Sequence, residues 1–195
     1  MSRQTHSVKD TYSKIHHAAL QLFVKHGYQA VGVRQIAQEI GMQAGSLYNH
    51  IEGKQELLFD LVYEFEYSLS KVSLSSVREK DAPREQLKAF VRSYTGYGLL
   101  NRDLHTLSLN EAARLGGGEG QQIDGLKLAR TQRLREIVRL GHKVGEFSVA
   151  DSELTIISVM SIITGLIEHS LAGASHSEIS NAACFLVLRV VGAEG

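Results

Sequence analysis

Cysteine occurs once, at Cys184, so the chain can close no internal disulfide. Its position between Ala183 and Phe185 in an apolar run marks it as a small core side chain rather than a redox or nucleophilic centre. Proline also occurs once, at Pro83. That scarcity, with few two-residue alternations of apolar and polar side chains, predicts an all-α protein of about nine helices. Twenty-one basic residues are balanced by 21 acidic ones, which excludes a generally basic nucleic-acid coat and requires a local patch for any phosphate contact. No secretory hydrophobic stretch opens the sequence, and the most apolar run, Ile156 to Ile167, is too short and too hydroxylated to span a bilayer. A cytoplasmic protein with no membrane partner is expected. No nucleophile elbow, no metal-spaced set of His and carboxylates and no phosphate loop closed by Lys-Ser/Thr occurs, so neither enzymatic activity nor a metal or cofactor is expected. His16, His17 and His26 lack the acidic or sulfur neighbours of a closed metal site and are assigned to the surface or to phosphate.

What is present is most informative between Val33 and Lys54. Val33, Ile36, Ala37 and Ile40 fall at helical offsets of one buried stripe, with Arg34, Gln35, Gln38 and Glu39 on the wet side. Gly41 then stops the helix, because it can take the left-handed conformation, and Met42 can plug the angle to the next helix. From Ala44 to Ile51 the apolar points are Leu47 and Ile51. Gln43, Ser46, Tyr48, Asn49 and His50 therefore face outward, and Gly45 permits close approach of another molecule. Two short helices joined by a tight turn are the build of a DNA-reading helix-turn-helix. The charge supports it: up to Ile51 the only acids are Asp10 and Glu39, against Arg3, Lys9, Lys14, Lys25, Arg34 and five histidines. A first helix is expected over Thr11 to His26, its free backbone amides beside Thr11 and Lys14 offering an anion contact.

The order Gly27-Tyr28, Val33-Arg34-Gln35-Ile36-Ala37, Gly41-Met42, Gly45-Ser46-Leu47-Tyr48-Asn49-His50 and Lys54-Gln55-Glu56-Leu57-Leu58 resembles the amino-terminal domain of TetR-type transcriptional regulators. The resemblance implies a helix-turn-helix domain over 1–53 followed by an effector-binding and dimerising body over 54–195. It implies that the helix at 44–50 enters the major groove of a palindromic operator in double-stranded DNA. Tyr48 and His50 would meet the backbone, and Lys54 a phosphate. Counting Arg34, Gln43, Ala44, Gly45, Ser46 and Asn49 with Thr11 and Lys14 completes the expected contact set. Gly32 and Gln43 stand where Ser or Thr often caps the second and third helices of the family.

The remaining chain predicts a long fourth helix from Gly53, a break over Arg78 to Pro83, and a helical face with Phe90, Tyr94 and Tyr97. A flexible connector is expected at Gly116–Gly120 and a charged helix over Gln121 to His142. Phe90, Tyr94, Tyr97, Leu104, Leu107, Leu126, Arg130 and Leu134 either form ordinary core or line a ligand cavity. The family resemblance implies the cavity and a small-molecule effector. A fainter likeness to regulators that respond to acyl-CoA thioesters draws in Glu111 and Arg114, although that pair has one residue more between them than the family's Glu-Leu-Arg.

The last two helices, about Asp151 to Ala172 and Ser175 to Val191, carry more apolar surface than one small chain can enclose, whereas a second copy covers it as a two-fold four-helix contact. Ser158, Ser161, Ile162, Gly165, His169, Ala182, Phe185, Leu186 and Arg189 are the expected interface, and the resemblance likewise implies a homodimer. The reading is a ligand-responsive repressor; its rivals are a small helical enzyme using the central cavity and a helix-turn-helix protein without effector.

Overall fold

The computed structural model describes residues 2–169 and 173–193, with side chains from residue 10 onward. Nine α-helices lie among them: α1 (Ser2–His26), α2 (Val33–Glu39), α3 (Ala44–Leu47), α4 (Lys54–Ser75), α5 (Pro83–Leu100), α6 (Arg102–Glu111), α7 (Gly117–Lys143), α8 (Ser152–Glu168) and α9 (His176–Val190), with one 3-10 turn at Ala112–Arg114. The described residues contain no strand.

The chain divides into two compact units that do not follow its linear order. One contains residues 1–65 and 103–123, the other 66–102 and 124–195. The expected boundary at 53/54 therefore differs from the division found, which falls within α4, after the first residue of α6 and again within α7. Gln21 Nε2 donates to Asp103 across the first unit, and Leu107, Leu115 and Ile123 join its core. That core is built by the apolar stripes of α1 (Ile15, Ala19, Phe23), α2 (Ile36, Ala37) and α4 (Leu57, Leu58, Leu61), closed by Leu47 from α3. Each of these helices is amphipathic at the 3.6-residue period, so one face enters the interior and the other stays wet.

In the second unit α5 packs against both α8 and α9, which also pack on each other. Pro83 opens α5 at its first turn, where its missing N–H leaves nothing unpaired. Asp151 caps α8 by accepting the Leu154 amide at 2.9 Å, and Ser175 with Glu178 forms a reciprocal capping box on α9. Cys184 is buried, its thiol pushed up by burial, in keeping with a core side chain.

Three expectations need correction here. Residues 116–120 are no flexible connector: α7 begins at Gly117, and a Cβ on Gly120 would lie 2.4 Å from the Leu115 carbonyl oxygen. Glycine is required there by close approach, which a cluster of glycines in a sequence does not distinguish from a loose linker. Helix α1 begins near Ser2, so Thr11 and Lys14 sit more than two turns inside it. Amides at that depth are bonded to the preceding turn and offer nothing to an anion. Helix α3 ends at Leu47; residues 48–50 form turns instead. The expected end of α8 near Ala172 lies outside the described residues.

Candidate nucleic-acid interface

Helix α2 ends in a paired-carbonyl cap. The Met42 amide donates to Ala37 O at 2.8 Å and the Gly41 amide to Gln38 O at 3.1 Å, with Gly41 at φ +68°. This is the Schellman arrangement, and the left-handed residue at its corner costs little only as glycine. Half-buried Met42 packs behind the corner against the core. Gly32 and Gln43 are the N-cap residues of α2 and α3, and neither side chain caps its helix. The two helices touch, and they meet the core through Ile36, Ala37 and Leu47, all essentially inaccessible.

After α3 the chain tightens. The Asn49 amide donates to Ser46 O and the His50 amide to Leu47 O, both three residues back, before Ile51 returns to the core. This tightening ends the helix early but keeps the outer face expected from the sequence. Gln43, Gly45, Ser46, Tyr48 and Asn49 are exposed; Ala44 and His50 are half-buried. Tyr48 shows 57% of its surface to solvent. Arg34 is exposed on the second residue of α2, and Lys14 is exposed on α1. Lys14 also lines a surface groove of about 400 Å³, with Asp10, Ser13, His17 and Gln21 of α1 and Glu39 of α2.

Lys54, the first residue of α4, is placed differently from expectation. Its ammonium donates to the carbonyls of Tyr28 (2.9 Å), Gln29 (3.2 Å) and Val31 (2.9 Å) and lies 4.5 Å from the Tyr28 ring centroid. An ammonium has three donors, and all three are committed within the protein. His16 departs as well. It is half-buried between α1 and α4, its ring 4.2 Å from that of Tyr12 and its Nε2 3.6 Å from Asp60 Oδ2. The Tyr12 hydroxyl donates to the same carboxylate at 2.5 Å. Burial lowers the His16 pKa against the pull of Asp60, and burial with the Asp60 hydrogen bond holds the Tyr12 hydroxyl protonated far above its usual range.

Of the expected effector residues, the second unit brings together Phe90, Tyr94 and Tyr97 on α5 with Leu126, Arg130 and Leu134 on α7. Leu104, Leu107, Glu111 and Arg114 belong to the first unit. Phe90 and Leu134 are fully buried, and Arg114 pairs with Glu111 as an i,i+3 partner. Arg130 is also buried, and its guanidinium donates to the Glu66 carboxylate, the Glu66 carbonyl (3.1 Å) and Ser70 Oγ (2.6 Å) while resting over the Tyr94 ring. Lys127 reaches the other Glu66 oxygen at 3.7 Å. The signal for Glu66 lay in the sequence: it falls on the buried stripe of α4 between Val62 and Leu69. Among the described residues, no group of three or more His, Cys, Asp and Glu is arranged to hold a metal ion.

Of the expected interface set, Ser158, Ser161, His169, Ala182, Phe185, Leu186 and Arg189 are exposed in the single chain, while Ile162 and Gly165 are half-buried. Leu154 (63% exposed) and Ile157 (60%) were not in that set, yet they continue the same apolar face. The Arg189 guanidinium sits 5.3 Å from the Phe185 ring centroid, and Ser158 Oγ donates back to Leu154 O, so the Ser158 hydroxyl brings no unmet donor to the face.

Helix-only architecture and a helix-turn-helix braced by α1 and α4 define the class. The comparisons then name the family: residues 15–61 match the family model for bacterial regulatory proteins of the tetR family, and residues 80–170 match that for the tetracyclin repressor-like C-terminal domain. The chain belongs to the TetR family of regulatory proteins. It is 34% identical over 84 residues to the uncharacterized HTH-type transcriptional regulator YxaF of Bacillus subtilis (strain 168), which is 43% of this chain and 44% of the relative, so the chain matches under half of that relative's length. Among solved structures it resembles a tetR-family regulatory protein from Rhodococcus RHA1, with a TM-score of 0.87, 22% identity and coverage of 94% of this chain and 98% of the other. It also shares the fold of AibR, solved in complex with isovaleryl coenzyme A and operator DNA, with a TM-score of 0.79, 21% identity and coverage of 94% and 99%. Among the described residues no helix is long and apolar enough to cross a membrane.

Proposed function

We propose that this chain is a cytoplasmic, homodimeric transcriptional regulator, a repressor that leaves a palindromic operator when a small effector binds, and that it is not an enzyme. The observation that carries the reading is the outer face of residues 43–50. Its hydrogen-bonding side chains are exposed while Leu47 and Ile51 anchor the segment, the arrangement a major-groove reader needs. Tyr48, Asn49, Ser46 and Gln43 are the proposed base and backbone contacts, with Arg34, Thr11, Lys14 and His50 toward phosphate and Ala44 and Gly45 allowing close approach. One such segment reads few base pairs, so pairing of two copies through the exposed faces of α8 and α9 supplies the second half-site about 34–36 Å away. The effector, of apolar or acyl-CoA-like chemistry, is assigned to the region of Phe90, Tyr94, Tyr97 and Arg130. It releases DNA only by binding better to a head spacing that does not fit the operator.

The test is selection of duplexes from a random pool by the purified protein, followed by titration of the complex with isovaleryl coenzyme A, free fatty carboxylates and neutral apolar molecules. Enrichment of a two-fold symmetric sequence and its release by one probe class are expected. Failure to enrich any duplex at low salt overturns the DNA-binding reading; enrichment without release by any probe leaves a regulator with no effector of these classes and overturns that part.

A further inference from the structure

We propose that Lys54 is a positioning residue, which holds the recognition segment by clamping the α1–α2 turn to the start of α4, and that it makes no phosphate contact. The proposal rests on the DNA-binding reading above and assigns a different role from the one its family resemblance implies. Three observations carry it. The ammonium's donors are matched one for one by the carbonyls of Tyr28, Gln29 and Val31, which leaves no N–H for an incoming phosphate. The face of the Tyr28 ring lies 4.5 Å from the same ammonium, and Tyr28 is itself fixed edge-on against Phe23 in the core. The turn that supplies the carbonyls leads straight into α2 at Val33.

The chain between those carbonyls and Lys54 is the whole of α2, the corner at Gly41, α3 and the turns to Ile51. Lys54 therefore closes a loop that contains every proposed contact except Thr11 and Lys14. This closure ties the turn before α2 to the start of α4, and α3, with four residues, cannot hold its own orientation without such bracing. Losing the ammonium disorders the bearing of Tyr48, Asn49 and Arg34 toward their targets, while the count of phosphates neutralised stays the same.

Two variants separate the roles. Lys54→Met keeps the aliphatic stem and removes the donors. Lys54→Arg keeps the charge, but its planar fork cannot aim three donors at three carbonyls converging on one point. Affinities for a selected duplex and a scrambled one are measured over a salt series from about 50 to 300 mM, and amide exchange of peptides spanning 27–36 is followed in the DNA-free protein. Both variants are expected to bind the selected duplex about tenfold more weakly, to change binding of the scrambled duplex less than about twofold, and to keep the wild-type salt slope. Exchange over 27–36 is expected to quicken in both, with peptides from α8 and α9 unchanged. A salt slope reduced by about one, with both duplexes weakened alike, identifies a phosphate contact and overturns the proposal. So does full activity in Lys54→Arg, or unchanged exchange in both variants. If Lys54→Met fails to fold, Lys54→Arg alone decides. A wild type that enriches no duplex overturns the DNA reading and the proposal with it, an outcome distinct from unchanged exchange, which overturns the proposal alone.

Discussion

The guanidinium of Arg130 on α7 is paired with the Glu66 carboxylate on α4, its Nε left without a hydrogen-bond partner, and both side chains are more than nine-tenths buried. Two charges removed from water are held by mutual attraction and by Ser70 and the Glu66 carbonyl. Removing one partner strands the other. Glu66→Gln is expected to lower stability, and Arg130→Met more so, by about 3 to 5 kcal/mol in urea denaturation, because the buried carboxylate then loses the guanidinium that balances its charge. The double variant Glu66→Leu with Arg130→Met should recover most of the loss. Additive losses in the double variant would show that the two groups act independently.

Tyr48→Ala is expected to weaken binding to a selected duplex by about tenfold without altering the oligomeric state, the affinity being read by anisotropy and the mass by sedimentation. The side chain is largely in solvent, so the urea midpoint should move by less than about 0.5 kcal/mol equivalent. Wild-type affinity in this variant removes Tyr48 from the contact set.

Placing a carboxylate in the exposed apolar face of α8 and α9 tests the proposed pairing. Ile157→Asp and Phe185→Asp are each expected to convert the dimer to monomer at micromolar concentration and to abolish cooperative operator binding, with helical content unchanged by circular dichroism. Both positions are open in the single chain, so the fold itself loses little.

His16 makes the first unit sensitive to acid. Its folded pKa lies below the ordinary value of 6.5, chiefly through burial, with Asp60, Glu64 and Glu56 pulling the other way. Between the folded value and 6.5 the unfolded chain binds more protons, so stability rises with pH there. The stabilisation is complete above 6.5 and is lost as pH falls through that interval. Urea midpoints measured from pH 8 to 5 should fall more steeply for the wild type than for His16→Gln, and parallel curves would remove His16 as the cause.

Much of this architecture is legible in periodicity. The stripes of α1, α2 and α4, the stop at Gly41 and the break before Pro83 follow from apolar spacing and from residues with few allowed conformations. The errors share a cause. Periodicity marks which face is buried and not where hydrogen bonding stops, so it extends α3 to Ile51 and starts α1 only at Thr11. Glycine reports tolerance of a conformation or lack of room for a side chain, and at Gly120 the second applies. Partners of charged groups are the least legible, since Lys54 bonds backbone carbonyls of a turn that carries no side-chain signature. In the sequence Arg130 reads as core or cavity lining. Its true partner, Glu66, was visible as a carboxylate interrupting an apolar stripe, but pairing it needs knowledge of which helix lies opposite.

Helix α3 buries one side chain fully, Leu47, rests Ala44 half-buried against the same core, and turns Gly45 and Ser46 outward. Its outer lettering can thus be rewritten without disturbing the scaffold, so descendants of this chain can acquire a new genomic address while the supporting frame stays as it is.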